Sequence, residues 1–323
     1  MPLISYREAL NDALREEMER DPNVFILGED IGFFGGAFKV TEGLFAEFGE
    51  KRVIDTPIAE GLIVGAAIGA AMVGLRPIAE LMTVNFALLA MDQIVNHAAK
   101  IRYMFGGKTK VPLVVRAPGG GGSQLGAQHS QSLESYFLHC PGLKVVIPAT
   151  PEDAKGLLKE SIRDDNPVIF LEHEHLYNTK GEVPSEEYTT PLGKASLKRT
   201  GTDITIIAYS NMVLTALEAA DHLEKEGISV DLIDLRTLNP LDIATIRASI
   251  KKTNRAIIVE EDCKTGGVGA EISTQIYEHL FTALDAPIIR VAGKDVPMPY
   301  AKNLERAAIP QVDDILQAAI NIL

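Results

Sequence analysis

Glu60 is the carboxylate in this sequence whose surroundings best suit proton chemistry. It follows the strand-like run Val53-Ile54-Asp55 and stands in the first turn of an expected helix, with Thr56 as a cap and Pro57 at its first position. Ile58, Ala59, Leu62 and Ile63 flank it, so the carboxylate is expected to be only partly hydrated. An unpaired buried charge is costly, and sharing a proton with a ring nitrogen lowers that cost. A surface glutamate favoured by the positive end of the helix fits the same residues. Gly61, Gly65 and Gly69 share one face of this helix, beside Ala66 and Ala70. An interior glycine costs about 1 kcal/mol relative to alanine, which close packing offsets. A crossing inside the domain and a subunit contact both explain that face, and the subunit contact is the expectation.

A second candidate region begins with the glycine run Gly119 to Gly122, followed by Ser123-Gln124-Leu125-Gly126 and then His129. Phosphate cradling is one use of such a loop, although neither Gly-x-x-x-x-Gly-Lys-Ser/Thr nor Gly-x-Gly-x-x-Gly is present in a strand-to-helix setting. A mobile wall of an active site is another. His129, beside this backbone at a strand's carboxyl end, suits either acid-base work or a purely structural hydrogen bond. Phe86, at a strand-to-helix junction, suits an apolar wall, a stacking partner for a planar group, or core packing. The remaining histidines, including His173 and His175, lack metal-ligand spacing. No Gly-x-Ser-x-Gly nucleophile elbow occurs.

The elements that would position these residues alternate between strand and helix. Tyr6, Leu10, Leu14 and Met18 recur every four residues after Ser5, a helix pattern stopped by Asp21-Pro22. Strands are expected at 24–27, 52–55, 77–81, 112–116, 143–147 and 167–171. Helices are expected at 41–48, 57–73, 86–104, 132–138 and 151–163. The polar stretch from His173 to Thr200 carries Pro184 and Pro191 and reads as an interdomain connection. Alternation then resumes, with strands at 204–208, 229–234, 256–260 and 287–291 between helices at 212–226, 242–250 and 268–284. The fold class is therefore α/β, in two three-layer α/β/α domains with largely parallel sheets. The expected division is 1–185, a linker at 186–200, and 201–323.

Composition narrows the function classes. The chain has 323 residues, 46% of them hydrophobic and 23% charged, enough for two ordinary cores. Its net charge of −13 argues against nucleic acid as a partner. No apolar run approaches the roughly 20 residues of a membrane span. Cys140 and Cys263 are too few and too far apart for a disulfide framework. With no secretory signal pattern at Met1-Pro2-Leu3-Ile4, the expected location is cytoplasmic.

Several segments, taken together and in order, resemble one family across almost the entire chain. They include Leu27-Gly28-Glu29-Asp30, Asp55-Thr56-Pro57-Ile58-Ala59-Glu60, Glu80-Leu81-Met82-Thr83-Val84-Asn85-Phe86 and Gln128-His129-Ser130. Pro141-Gly142-Leu143-Lys144-Val145-Val146, Ala154-Lys155-Gly156-Leu157 and Ile162-Arg163-Asp164-Asp165-Asn166-Pro167 continue the match. Asp234-Leu235-Arg236-Thr237-Leu238 and Asp295-Val296-Pro297-Met298-Pro299-Tyr300 complete it. They resemble the beta subunits of pyruvate and related 2-oxo acid dehydrogenase first components, which are transketolase-like thiamine diphosphate enzymes.

The resemblance implies an N-terminal pyrimidine-binding domain and a transketolase-like C-terminal domain. It implies that Glu60 hydrogen-bonds N1′ of the aminopyrimidine and so promotes removal of the thiazolium C2 proton. Phe86 matches the aromatic region beside that ring. His129 matches a histidine near the thiazolium and the lipoyl channel, which orients groups or handles protons during acyl transfer. The family's structural potassium site, built largely from backbone carbonyls, falls at Leu113, Ser161, Ile162, Asp164 and Asn166. Diphosphate and magnesium are held by a Gly-Asp-Gly motif on the family's alpha subunit, and this chain has no Gly-Asp-Gly. It is therefore expected to complete its site in an α₂β₂ tetramer and to serve a lipoyl-bearing dihydrolipoyl acyltransferase. Pyruvate is the expected 2-oxo acid, from Met82 to Phe86 and Asp295 to Tyr300. A branched-chain 2-oxo acid or acetoin dehydrogenase subunit, a complete transketolase-type enzyme and a noncatalytic assembly subunit are the alternatives.

Overall fold

Apolar runs without alternation mark strands covered on both faces, and β2 (Val24–Gly28) is such a run, buried along its whole length. The computed structural model describes residues 1–323. They divide into two compact units, Met1–Gly119 with Tyr136–Leu192, and Gly120–Ser135 with Gly193–Leu323.

In the first unit, β1 (Leu3–Ser5) leads directly into α1 (Tyr6–Arg20). Ser5 caps α1 as expected: its hydroxyl accepts from the Glu8 amide at 3.2 Å, and the Glu8 carboxylate accepts from the Ser5 amide at 2.7 Å. After β2 come α2 (Leu44–Phe48), β3 (Val53–Asp55), α3 (Glu60–Met72) and β4 (Arg76–Glu80). A 3₁₀ turn (Val84–Ala90), a π-helical turn (Gln93–Ala98) and α4 (Ala99–Met104) replace the single helix expected over 86–104. Apolar spacing over such short runs does not separate turns of 3.0, 3.6 and wider period, and packing against α3 selects among them. The rest is β5 (Val114–Gly119), α5 (Glu134–Leu138), β6 (Lys144–Val146), α6 (Pro151–Arg163), β7 (Val168–His173) and β8 (Lys180–Glu182).

Six of these strands pair in parallel in the order β6-β7-β5-β4-β2-β3. Helices α1 and α6 pack on one another beside the sheet. The polar stretch expected to begin the connection at His173 is structured instead. His173 ends β7, Leu176 and Tyr177 are buried in a 3₁₀ turn, and β8 pairs antiparallel with β1.

In the second unit the elements run β9 (Ser196–Arg199), β10 (Ile204–Ala208), α7 (Met212–Lys225), β11 (Val230–Asp234), β12 (Thr237–Asn239) and α8 (Ile243–Thr253). They continue with β13 (Ala256–Cys263), α9 (Val268–Leu280), β14 (Ile289–Gly293), α10 (Lys302–Ala308) and α11 (Val312–Ile320). Its five-stranded sheet has the order β14-β13-β10-β11-β9, parallel except for β9. Helix pairs α7/α11 and α8/α9 pack against it. Both units are thus the expected helix-covered α/β domains. No helix is long and apolar enough to cross a membrane.

Candidate active site

Ligands of parallel α/β sheets gather at the carboxyl ends of the strands, and Glu60 lies at that edge of the first sheet. Gly28, Asp55 and Glu80 are register partners at the ends of β2, β3 and β4. A Cβ on Gly28 would stand 2.6 Å from the Glu80 carbonyl, so the approach of β2 to β4 requires glycine there. Beyond β3, the Thr56 amide donates to the Gly28 carbonyl at 2.9 Å. That bond keeps the chain beside β2, and the helix begins at Glu60 rather than at Pro57. Ala59 is its N-cap and supplies no side-chain bond.

Glu60 is therefore the first helical residue, only 6% exposed, and its carboxylate makes no hydrogen bond or ion pair within the chain. The Thr56 hydroxyl oxygen is also buried without a partner. Half-buried Glu29 has its carboxyl pushed up by burial, then by the charges of Asp30 and Glu60. Phe86, half-buried, sits in the 3₁₀ turn that packs against α3. The structure thus packs the helix bearing Glu60 against the turn bearing Phe86. A buried carboxylate lacking an internal partner fits the N1′ side of an aminopyrimidine.

The glycine face of α3 is only partly used inside the unit. A Cβ on Gly61 would meet the Leu89 carbonyl at 3.5 Å and one on Gly65 the Gln93 side chain at 3.3 Å, while Gly69 faces open space. Ile58, Leu62, Leu88 and Leu89 remain exposed around the same region. An intradomain crossing explains two of the glycines, and the apolar remainder suits a subunit contact.

In the second unit the glycine loop does not cradle a phosphate, because carboxylates of the chain itself occupy its amides. The Gly121 amide donates to Glu261 Oε1 at 2.6 Å, and the Gly122 amide to Glu305 Oε1 at 2.8 Å. The Gln124 amide also donates to Glu305 Oε1, at 3.0 Å. His129 follows on this loop, half-buried, its amide donating to the Gly126 carbonyl at 3.3 Å. The adjacent Ser130 hydroxyl is buried without a hydrogen-bond partner. Glu261 and Glu305 escaped the sequence reading because they lie 140 and 183 residues from their partners, where no local spacing marks them. Beneath the loop, Glu134 and Asp262 are both buried. Burial pushes both carboxyls up, and the charge of Asp262 pushes Glu134 further.

Of the five residues expected at a potassium site, Ser161 and Ile162 lie in the last turn of α6, Asp164 and Asn166 just after it, and Leu113 just before β5. Four of their carbonyls are already engaged. Arg76 donates to Ile162 at 2.8 Å and to Asp164 at 2.8 Å, the Asp164 amide to Ser161 at 3.3 Å, and the Val168 amide to Leu113 at 2.8 Å. An ion there must use the second lone pairs of these oxygens. No group of three or more His, Cys, Asp or Glu side chains is placed to hold a metal.

The chain matches two family models, "Transketolase, pyrimidine binding domain" over residues 3–180 and "Transketolase, C-terminal domain" over residues 193–315. It is 53% identical over 320 residues to the mitochondrial pyruvate dehydrogenase E1 component subunit beta-2 of Oryza sativa subsp. japonica, covering 98% of this chain and 85% of that one. The mitochondrial subunit beta of Bos taurus is 52% identical over 98% of this chain and 89% of its own. A solved structure, the inactive beta4 tetramer of a split gene transketolase, superposes with TM-score 0.82 at 25% identity. That match covers 99% of this chain and 98% of the other. The relatives correct the expectation of a cytoplasmic location, since those from rice, Bos taurus and Dictyostelium discoideum are named mitochondrial. An acidic surface and two free cysteines suit any reducing compartment and do not separate one from another.

Proposed function

Because this chain belongs to the family of pyruvate dehydrogenase E1 beta subunits, we propose that it supplies the pyrimidine half of a thiamine diphosphate site and acts only with an alpha subunit. The assembled enzyme oxidatively decarboxylates pyruvate and reductively acetylates the lipoyl group of the dihydrolipoyl acyltransferase component. The observation that carries this reading is the buried, internally unpartnered Glu60 carboxylate at the start of α3. It stands within the part of the chain that matches the pyrimidine-binding model.

Thiamine diphosphate, when bound, supplies the nucleophilic carbon that cleavage beside a 2-oxo group requires. Glu60 holds a proton at N1′ of its aminopyrimidine, where partial exclusion of water strengthens the bond. Phe86 walls the ring on its apolar side. His129 orients groups or moves a proton during acyl transfer to the lipoyl partner. Magnesium and the diphosphate are held mainly by the alpha subunit, since this chain has no Gly-Asp-Gly. The proposed assembly is an α₂β₂ heterotetramer, in keeping with closed symmetry. Potassium is assigned to the carbonyls of Leu113, Ser161, Ile162, Asp164 and Asn166. The functional division is 1–185 and 201–323, joined through 186–200.

The test is reconstitution. The purified chain with thiamine diphosphate and magnesium should not turn over pyruvate with an artificial electron acceptor, whereas the αβ assembly should. The assembly should also show a higher kcat/KM for pyruvate than for 3-methyl-2-oxobutanoate or acetoin. Turnover by the chain alone would end the half-site reading, and a preference for either alternative would end the assignment of pyruvate.

A further inference from the structure

The residues that hold the His129 loop belong to elements distant in sequence, and they hold it by its backbone. Glu305 on α10 is 2% exposed and Glu261 on β13 is 7% exposed. Between them they accept from the amides of Gly121, Gly122 and Gln124. Glu305 reaches the Gln124 amide through its second oxygen as well, at 3.2 Å. Glu261 also lies 3.4 Å from the Ser132 hydroxyl, beyond His129 in the chain. The Gly120 amide donates to the Gln131 carbonyl at 3.0 Å and closes the base of the loop. His129 is thus carried on a closed backbone ring whose near side is fixed by two buried carboxylates.

Gly121 is set so close to α10 and its approach that a Cβ there would stand 2.8 Å from Ile309 and 3.0 Å from Met298. Gly120, Gly122, Gln124 and Gly126 all have positive φ. Such backbone is not held by intrinsic preference. Amide bonds to ionised carboxylates are stronger than neutral ones, and they supply the restraint.

We propose that Glu305 and Glu261 are positioning residues: by gripping the loop amides they set the imidazole of His129 for acyl transfer to the lipoyl partner. This rests on the role of His129 given under the proposed function. Neither carboxylate is assigned contact with substrate or cofactor, so their loss acts on the step that His129 serves and leaves pyruvate binding alone.

The experiment uses the reconstituted αβ enzyme with a lipoyl domain, comparing wild type, E305A, E305Q and H129A. In E305A, amide hydrogen exchange over residues 121–129 should accelerate about tenfold, the loss expected when charge-assisted bonds are removed. The kcat for lipoyl acetylation should fall about tenfold as well. The KM for pyruvate and the turnover with an artificial acceptor should stay within about twofold. E305Q keeps one acceptor oxygen but turns the second, which also accepts from the Gln124 amide, into a donor, and should show the same losses at about threefold. It also provides the reading if E305A does not assemble. H129A should lose lipoyl acetylation. If H129A loses transfer but E305A and E305Q do not, the positioning role is overturned and the role of His129 stands. If H129A loses nothing, the role of His129 is overturned and this proposal with it. An equal fall of both activities in E305Q, with exchange unchanged over the loop, also overturns the proposal.

Discussion

Arg76 donates its Nε–H to the Ile162 carbonyl at 2.8 Å, so a side chain at the start of β4 is tied to the last turn of α6. The same guanidinium reaches the Asp164 carbonyl. A potassium ion at these carbonyls shares them with a cation already present. Binding to the native state alone raises stability. Exchanging sodium for potassium at constant ionic strength should therefore raise the Tm of the assembled protein by about 2–4 °C. Superimposable melting curves in the two salts would remove potassium from this site.

Arg116 on β5 joins Glu80 on β4 to Glu172 on β7, all three buried. Tyr177 adds a hydroxyl donor to Glu172 at 2.7 Å. Removing one partner leaves uncompensated buried charge, which costs about 3–5 kcal/mol. Arg116→Met should lower the urea midpoint accordingly, whereas Tyr177→Phe should cost about 1–2 kcal/mol. A midpoint unchanged in Arg116→Met would mean that Glu80 and Glu172 do not depend on this cation.

The layers and the first-turn position of Glu60 were legible because they rest on local signals. Buried parallel strands read as apolar runs, and Ser5 before the four-residue apolar repeat reads as an N-cap. The exact start of α3 was not legible, because a backbone bond from Thr56 to Gly28 delays it. The glycine loop was visible as a run of glycines, but its meaning depends on Glu261 and Glu305 from far along the chain. The potassium residues came from resemblance alone, and no local pattern indicated that Arg76 donates to the same carbonyls.

Glu134 and Asp262 give a pH dependence. Burial raises both native pKa values, so folding favours the protonated forms. For Glu134 this stability is fully present below the unfolded glutamate value of about 4.3. It is lost as pH rises through the raised native value. Glu134→Gln stays neutral throughout. Its Tm should match wild type near the bottom of that window and exceed it by about 2–4 °C at pH 8. A difference that does not change with pH would show that burial of Glu134 is not linked to its protonation.

The central claim is that Glu60 acts on the aminopyrimidine, and hydrogen–deuterium exchange at C2 of thiamine diphosphate bound to the assembled αβ protein tests it most directly. Glu60→Gln keeps the size of the side chain and removes its basicity. Normal assembly, retained cofactor and C2 exchange slowed by about 100-fold or more are expected. Exchange near the wild-type rate in a correctly assembled, cofactor-loaded Glu60→Gln protein would contradict the claim.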